Sequence, residues 1–344
     1  MPHPWRAIVS ASAVLAATAL VGAPASAQSV ADFYKGKTVS VIMGTGPGGS
    51  YEPYGRTIAE HLRNHIPGNP TVIVEFMPGA GGVTAGNHIF SSAPQDGTKI
   101  LLSHAIPMSQ MLEPRGGIRF ESEKFHWLGT YDAIAHTMAL WHGAPVKTIA
   151  DLKNPSIVIG SFARAHLTYQ WPAMMKDVLG LGYKVITGYP TGNHNNLAME
   201  REEIHGWAAS WENLIGTRPH WIAEKKVTLL AQFTLERKPQ IPEVPTLLEL
   251  APADKKDVVE FLTAGTPFGR AMAVGPGVPA DRVAALRKAF DDTMKGPAFL
   301  ADAKKRSLDI DARDWQHAHT LVNKIVKAPP DLVTRVKQSI GLDE

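Results

Sequence analysis

A glycine-rich stretch, Gly44-Thr45-Gly46-Pro47-Gly48-Gly49-Ser50-Tyr51-Glu52, follows the β-branched run Thr38–Met43 and leads into apolar residues at helical spacing, Tyr51, Tyr54, Ile58 and Leu62. A strand-to-helix turn of this composition presents unpaired backbone N–H groups at the positive end of a helix dipole, which is chemistry for holding an anion. Glycine lets the backbone approach a ligand closely and take positive φ. Pro53 falls in the first helical turn, where a missing N–H costs nothing. A second loop of the same kind, Pro78-Gly79-Ala80-Gly81-Gly82, closes the next strand, Thr71–Phe76. Strands of a parallel sheet end on one edge, so both helix N-termini point into one crevice. A carboxylate could then be gripped from two sides by main-chain N–H groups, without arginine. Two later turns, Ser161-Phe162-Ala163 and Tyr189-Pro190-Thr191-Gly192-Asn193, could reach the same ligand from a second lobe.

Other chemistries compete for these residues. A phosphate-binding P-loop needs G-x-x-x-x-G-K-[ST], and here Ser50 follows Gly49 directly, so that reading fails. Gly44, Gly46 and Gly49 do spell G-x-G-x-x-G after a strand, and Glu75 sits about where a ribose-binding acid would. The alternative function is therefore a nicotinamide-dependent oxidoreductase. Against it stand an export signal and the second glycine loop, which a dinucleotide fold does not need. His61 and His65 have the i, i+4 spacing of metal ligands but lack an E-x-x-H arrangement or a third ligand, and read as a solvated pair. Ser50, Ser161 and Ser210 are in no G-x-S-x-G elbow, so no catalytic residue, metal or cofactor is assigned. Trp171, on a helical stripe, reads as core, whereas Trp207, Trp211 and Tyr189 could be core or pocket wall.

Composition narrows the class. The chain has 344 residues and a formal charge of +3, so nothing announces a nucleic-acid partner. With no cysteine, a disulfide framework, a lipidated cysteine anchor and thiolate chemistry are all excluded. Arg6 precedes the apolar run "AIVSASAVLAATALVGAPA", and Ala25-Ser26-Ala27 has the A-x-A form of a cleavage site. Residues 1–27 are expected to be a signal peptide removed after Ala27. No later segment has the apolar length needed to span a bilayer.

Strand, glycine turn and helix repeat along the chain, which predicts mainly parallel sheets with both faces covered. Crossings near residues 132–137 and 234–240, the second in the Pro-rich "ERKPQIPEVPTLLEL", suggest two α/β lobes. The expected division is 31–134 with 236–344 as a discontinuous first lobe and 135–235 as the second.

From about Thr38 onward these motifs, taken in order, resemble the substrate-binding proteins of tripartite tricarboxylate transporters, the TctC or Bug family. The family's G-G-S/T-x-D with an arginine four residues on appears as Gly48-Gly49-Ser50-Tyr51-Glu52 and Arg56. Its P-G-A-G-G is Pro78–Gly82, its P-D-G turn is Pro94-Gln95-Asp96-Gly97 with one residue inserted, and its L-P-x-V-P-T-L-x-E crossing is Ile241–Glu249. The resemblance implies a type II periplasmic binding protein fold, two α/β lobes joined by two crossings with the ligand cleft between them. It implies a periplasmic, monomeric protein that captures a small organic carboxylate, di- or tricarboxylic or aromatic, for the permease subunits of such a transporter. Carried over, ligand binding falls to Gly48, Gly49, Ser50, Tyr51, Glu52, Ala80, Gly81 and Gly82. Ser161, Phe162, Ala163, Tyr189 and Asn193 are the second-lobe candidates. Two departures matter: Glu52 replaces the family aspartate, and Thr187–Gly192 replaces its V-P-Y-K-G segment.

Overall fold

The computed structural model describes residues 28–103, 105–112 and 117–342. The expected signal peptide, residues 1–27, lies outside the described residues. The described residues form eleven strands in two sheets. In chain order these are β1 (Thr38–Met43), β2 (Thr71–Phe76), β3 (Lys99–Ser103), β4 (His126–Thr130), β5 (His136–Trp141) and β6 (Val158–Gly160). Then come β7 (Lys184–Ile186), β8 (Gly206–Ser210), β9 (Val227–Gln232), β10 (Ala271–Val274) and β11 (Arg313–Asp314). The first sheet has the order β11-β4-β10-β3-β1-β2, and the second β7-β6-β8-β5-β9. The fold is thus two mixed α/β sheets, one per lobe.

The pairing is less uniformly parallel than the sequence suggests. In the first sheet β1 runs parallel to β2 and β3, while β10 is antiparallel to β3 and β4. In the second, β6 is parallel to β7 and β8, and β5 is antiparallel to β8 and β9. The reason is connectivity. Parallel neighbours need a long crossover, but the chain passes from β4 to β5 through the short link 131–135 and comes back to the first sheet only as β10.

Apolar periodicity explains the layers. Val39, Val41 and Met43 of β1 bury one face against Tyr54, Ile58 and Leu62 of the helix Tyr51–Leu62 and against Leu286 and Phe290 of Ala280–Lys295. Ile42 and Leu101 bury the other face with Ile89, Trp127 and Val322. In the second sheet Met138, Leu140 and Ala208 pack on Trp171, Met174 and Met175 of the helix Leu167–Leu179. Two helices from late in the chain, Lys256–Thr263 and Pro330–Ser339, join that same cluster through Val258, Leu262, Val333 and Val336. Trp171 stacks on Phe233 at 5.4 Å between ring centroids, a core position. No helix among the described residues is long and apolar enough to cross a membrane.

Candidate functional site

The C-terminal ends of β1, β2, β6, β7 and β8 face one another across a cavity of about 270 Å³. Its first-lobe side is made by the two glycine loops, through Thr45, Gly46, Gly49, Ser50 and Tyr51 and through Pro78, Gly79, Ala80 and Gly81. The second loop is held in an unusual backbone. Gly79, Ala80, Gly81 and Gly82 all have positive φ, at 142°, 42°, 63° and 105°. Glycine takes such angles freely, whereas Ala80 stores strain of a kind that gathers at ligand sites. Within the loop the Gly82 N–H donates to Gly79 O at 2.9 Å, but the N–H groups of Ala80 and Gly81 donate to no described protein group. The two loops are also pressed together: a Cβ on Gly44 would stand 2.9 Å from the Gly82 Cα.

The second-lobe side is built around aromatic rings. Phe162 and Trp207 lie 5.9 Å apart at 31°, and Tyr189 completes the wall. The Trp207 indole N–H donates away from the cavity to Asn196 Oδ1 at 3.1 Å, which leaves its ring face apolar. His166 caps the helix Leu167–Leu179, its Nδ1 accepting the Thr168 N–H at 3.1 Å. Ser210 caps Trp211–Thr217 by accepting from the Asn213 N–H at 3.1 Å. His136 and His166 both line the cavity, and burial lowers them from the ordinary 6.5 to about 3 and about 4. For His136 the neighbouring His166 and Arg270 charges push the same way. Both rings are neutral at physiological pH.

Of the residues singled out in the sequence, Gly49, Ser50, Tyr51, Ala80, Gly81, Phe162, Ala163 and Tyr189 line the cavity. Gly48, Glu52, Gly82, Ser161 and Asn193 do not, and each has a physical reason. Glu52 Oε2 accepts the Gly48 N–H at 2.8 Å and Oε1 accepts from Arg56 Nε at 2.7 Å, so the carboxylate braces its own loop. Those bonds, the Gly48 one foremost, hold it below the ordinary carboxylate range. Asn193 reaches across the cleft, its Nδ2 donating to Gly48 O, so these two residues join the lobes. The buried Ser161 hydroxyl donates to Ile186 O at 2.8 Å, and Gly82 is buried beneath its loop. Trp207 is wall, whereas Trp211 packs in a small core with Ala135, Ile241 and Val244.

Arg270 was not legible in the sequence, and it stands at the cavity beside the main-chain N–H groups expected there. Arg270 lines the cavity with no solvent exposure. Its guanidinium Nη1 donates to Asp132 Oδ2, its backbone N–H to Asp132 Oδ1 at 2.9 Å, and its Nη2 to Ser50 Oγ at 3.3 Å. The guanidinium carbon sits 3.8 Å from the Tyr54 ring centroid and 4.6 Å from that of Tyr51, a double cation–π contact. Gly269, at φ 49°, brings this backbone against Asp132, since a Cβ there would fall 1.5 Å from Asp132 O. Burial opposes the charge most strongly, but Asp132 together with Tyr54, Tyr51 and Tyr131 outweighs it and keeps Arg270 above its ordinary value. Arg270 Nε and Thr45 Oγ1 are buried without a hydrogen-bond partner, and both residues line the cavity. The signal in sequence is thin: one arginine between Gly269 and the apolar run of β10.

Glu75, the acid of the nicotinamide alternative, is 3.0 Å from Lys99 Nζ and is not among the cavity's lining residues, so it offers nothing to a ribose bound there. His61 pairs with Asp302 at 3.1 Å.

No protein-family profile matches the chain. The chain is similar to a UPF0065 protein encoded in the gbd 5′ region of Cupriavidus necator, with 26% identity over 320 residues, 88% of this chain and 89% of that protein. Among solved structures, it superposes on the periplasmic binding protein BugD with a TM-score of 0.70 at 20% identity, covering 89% of this chain and 98% of the other. Rhodopseudomonas palustris Rpa4515 with adipate gives 0.68 at 15% identity, covering 89% and 97%. MatC of the same organism with bound malate gives 0.64 at 17%, covering 88% and 99%. The two-lobed fold is that of these periplasmic binding proteins, and the resemblance to the Bug and TctC proteins read from the loop motifs stands.

Proposed function

We propose that this chain is an exported solute-binding protein that captures a small organic carboxylate between its lobes and delivers it to the membrane subunits of a tripartite tricarboxylate transporter. The observation that carries the reading is the meeting, at one cavity, of the uncommitted Ala80 and Gly81 N–H groups with the buried Arg270 guanidinium. Donors fixed by the fold hold an anion without reorganising, and they act more strongly where closure has removed water. Adipate and malate, bound by two proteins of the same fold, are carboxylates and support the choice of ligand chemistry.

Binding here is capture without a chemical step. The carboxylate docks on the loop after β2 and on Ser50, and the second lobe then covers it with Phe162, Ala163 and Tyr189. A ligand that touches both lobes favours the closed arrangement by its differential affinity for it. The lobes divide at 31–134 with 236–344 and at 135–235, the mature chain begins at Gln28 in the periplasm, and it works as a monomer.

Native mass spectrometry of the exported protein, followed by titration calorimetry, tests the proposal. The expected result is a mature mass starting at Gln28 and saturable one-to-one binding of a carboxylate, with no affinity for NADH. Tight NADH binding, or no saturable binding by any carboxylate, would overturn it.

A further inference from the structure

The cavity is chemically lopsided. The two glycine loops, and Arg270 tied to the first of them through Ser50 Oγ at 3.3 Å, are gathered at one end. The other end sets Thr191 and Gly192, at the start of the helix Gly192–Glu200, beside its aromatic rings. Among the described lining residues Arg270 is the single lysine or arginine. The opposite wall is Phe162, Trp207 and Tyr189, with neutral Asn213 and Ser210 nearby. The buried charges around the site also cancel. Arg270 pairs with Asp132, and Lys238 is shared between the buried Glu212 at 3.4 Å and Asp309 at 2.9 Å, so neither cation is free for a second anion. A second carboxylate on the ligand would therefore enter an aromatic wall with no cation to meet it, and a buried unpaired charge is strongly disfavoured. The volume, about 270 Å³, is just below the roughly 300–1,000 Å³ usual for ligand pockets, which favours a small ligand.

From this we infer that the ligand is an aromatic monocarboxylate, its single carboxylate on the glycine loops and Arg270 and its ring against Phe162, Trp207 and Tyr189. The inference rests on the carboxylate-capture reading and narrows it. It separates this chain from the relatives seen with adipate and malate, each of which carries two carboxylates. The ring gains from a flat apolar wall that an aliphatic chain fits less closely, because the Phe162 and Trp207 rings already lie at a shallow 31° to each other.

Titration calorimetry of the purified protein with benzoate, 4-hydroxybenzoate, terephthalate, hexanoate, adipate and malate decides it. One of the two aromatic monoanions should bind at least tenfold tighter than terephthalate, which has the same ring and a second carboxylate. It should also exceed hexanoate, adipate and malate by tenfold or more. Phe162→Ala should remove most of the preference for benzoate over hexanoate. Phe162→Arg, which places a cation in the aromatic wall, should raise terephthalate relative to benzoate at least tenfold. If a dianion or hexanoate matches or exceeds the aromatic monoanions, this inference fails while carboxylate capture survives. If none of the six binds, this inference fails, and the native mass spectrum alone decides whether carboxylate capture fails with it. Unchanged selectivity in Phe162→Arg, with the variant shown by circular dichroism to be folded, overturns the placing of the ring.

Discussion

Arg270 and Asp132 form the kind of pair that is costly to bury and costlier to break. Removing the arginine alone leaves a carboxylate stranded at 2% exposure. Arg270→Met should therefore lose about 3–5 kcal/mol of stability, the usual penalty for breaking a buried pair. The double variant with Asp132→Leu should recover only part of that in urea unfolding: an apolar pair of similar size is often neutral, but the buried Arg270 backbone N–H loses its acceptor on Asp132. Neither should bind the ligand, and wild-type affinity in either would remove Arg270 from the site. The two cavity histidines make a second prediction. Their folded-state values, about 3 for His136 and about 4 for His166, lie below the ordinary 6.5. The unfolded chain then takes up protons first as pH falls, so stability is full above about pH 6.5 and declines from there toward pH 4. His136→Gln should flatten that decline in thermal melts between pH 7 and 4.5, and an unaltered slope would show that His136 is not held neutral. These residues were hidden in the sequence for one reason. Arg270 and Asp132 meet across 138 positions, and nothing local marks either as buried.

The loops, by contrast, were legible, because what they need is written locally. A glycine run after a β-branched strand can hardly do other than turn, and its N–H groups are left over from the helix that follows. What could not be read was the pairing of β5 and β10, whose antiparallel neighbours are set by where the chain changes sheets. The helix Pro330–Ser339 was missed because its apolar stripe has meaning only against the distant helix Leu167–Leu179. Nor could spacing show that Glu52 braces its own loop, as its bond to the Gly48 N–H at 2.8 Å does. The loop after β2 should be the more sensitive of the two. Alanine at Gly81 would have to hold φ at 63° and would place its Cβ 3.2 Å from Ala165 O on the facing lobe. We expect Gly81→Ala to cost about 1–2 kcal/mol of stability for the left-handed backbone and to weaken ligand binding at least tenfold, and Gly81→Val to abolish it. Ser50→Ala, losing one hydroxyl contact to the carboxylate and the long 3.3 Å contact to Arg270, should weaken binding a few-fold. Calorimetry on the three variants checks the ranking, and normal binding by Gly81→Val would move the site away from this loop.

At the scale of the whole molecule, the two lobes touch in two different ways. Around the helix Leu167–Leu179 the contact is apolar and continuous, with Val258, Leu262, Val333 and Val336 packed into one core with Trp171 and Met174. Such a core does not part easily, so it is suited to be the pivot. At the cleft mouth the contact is polar and slight: Asn193 Nδ2 on Gly48 O, and Gly81 close to Ala165 O. Opening should break these and leave the pivot whole. Asn193→Ala removes one cross-cleft hydrogen bond, worth about 0.5–1.5 kcal/mol, and so should raise the ligand dissociation rate by roughly two- to tenfold. Association should hardly change, because the open form that admits ligand makes no use of this bond, and closure alone depends on it. Global stability should stay within about 0.5 kcal/mol, as for a surface change. Stopped-flow release of bound ligand measures the first effect and thermal melting the last. A dissociation rate equal to that of the unaltered protein would mean that the Asn193 contact does not latch the cleft, and that closure is held by the ligand and the apolar pivot alone.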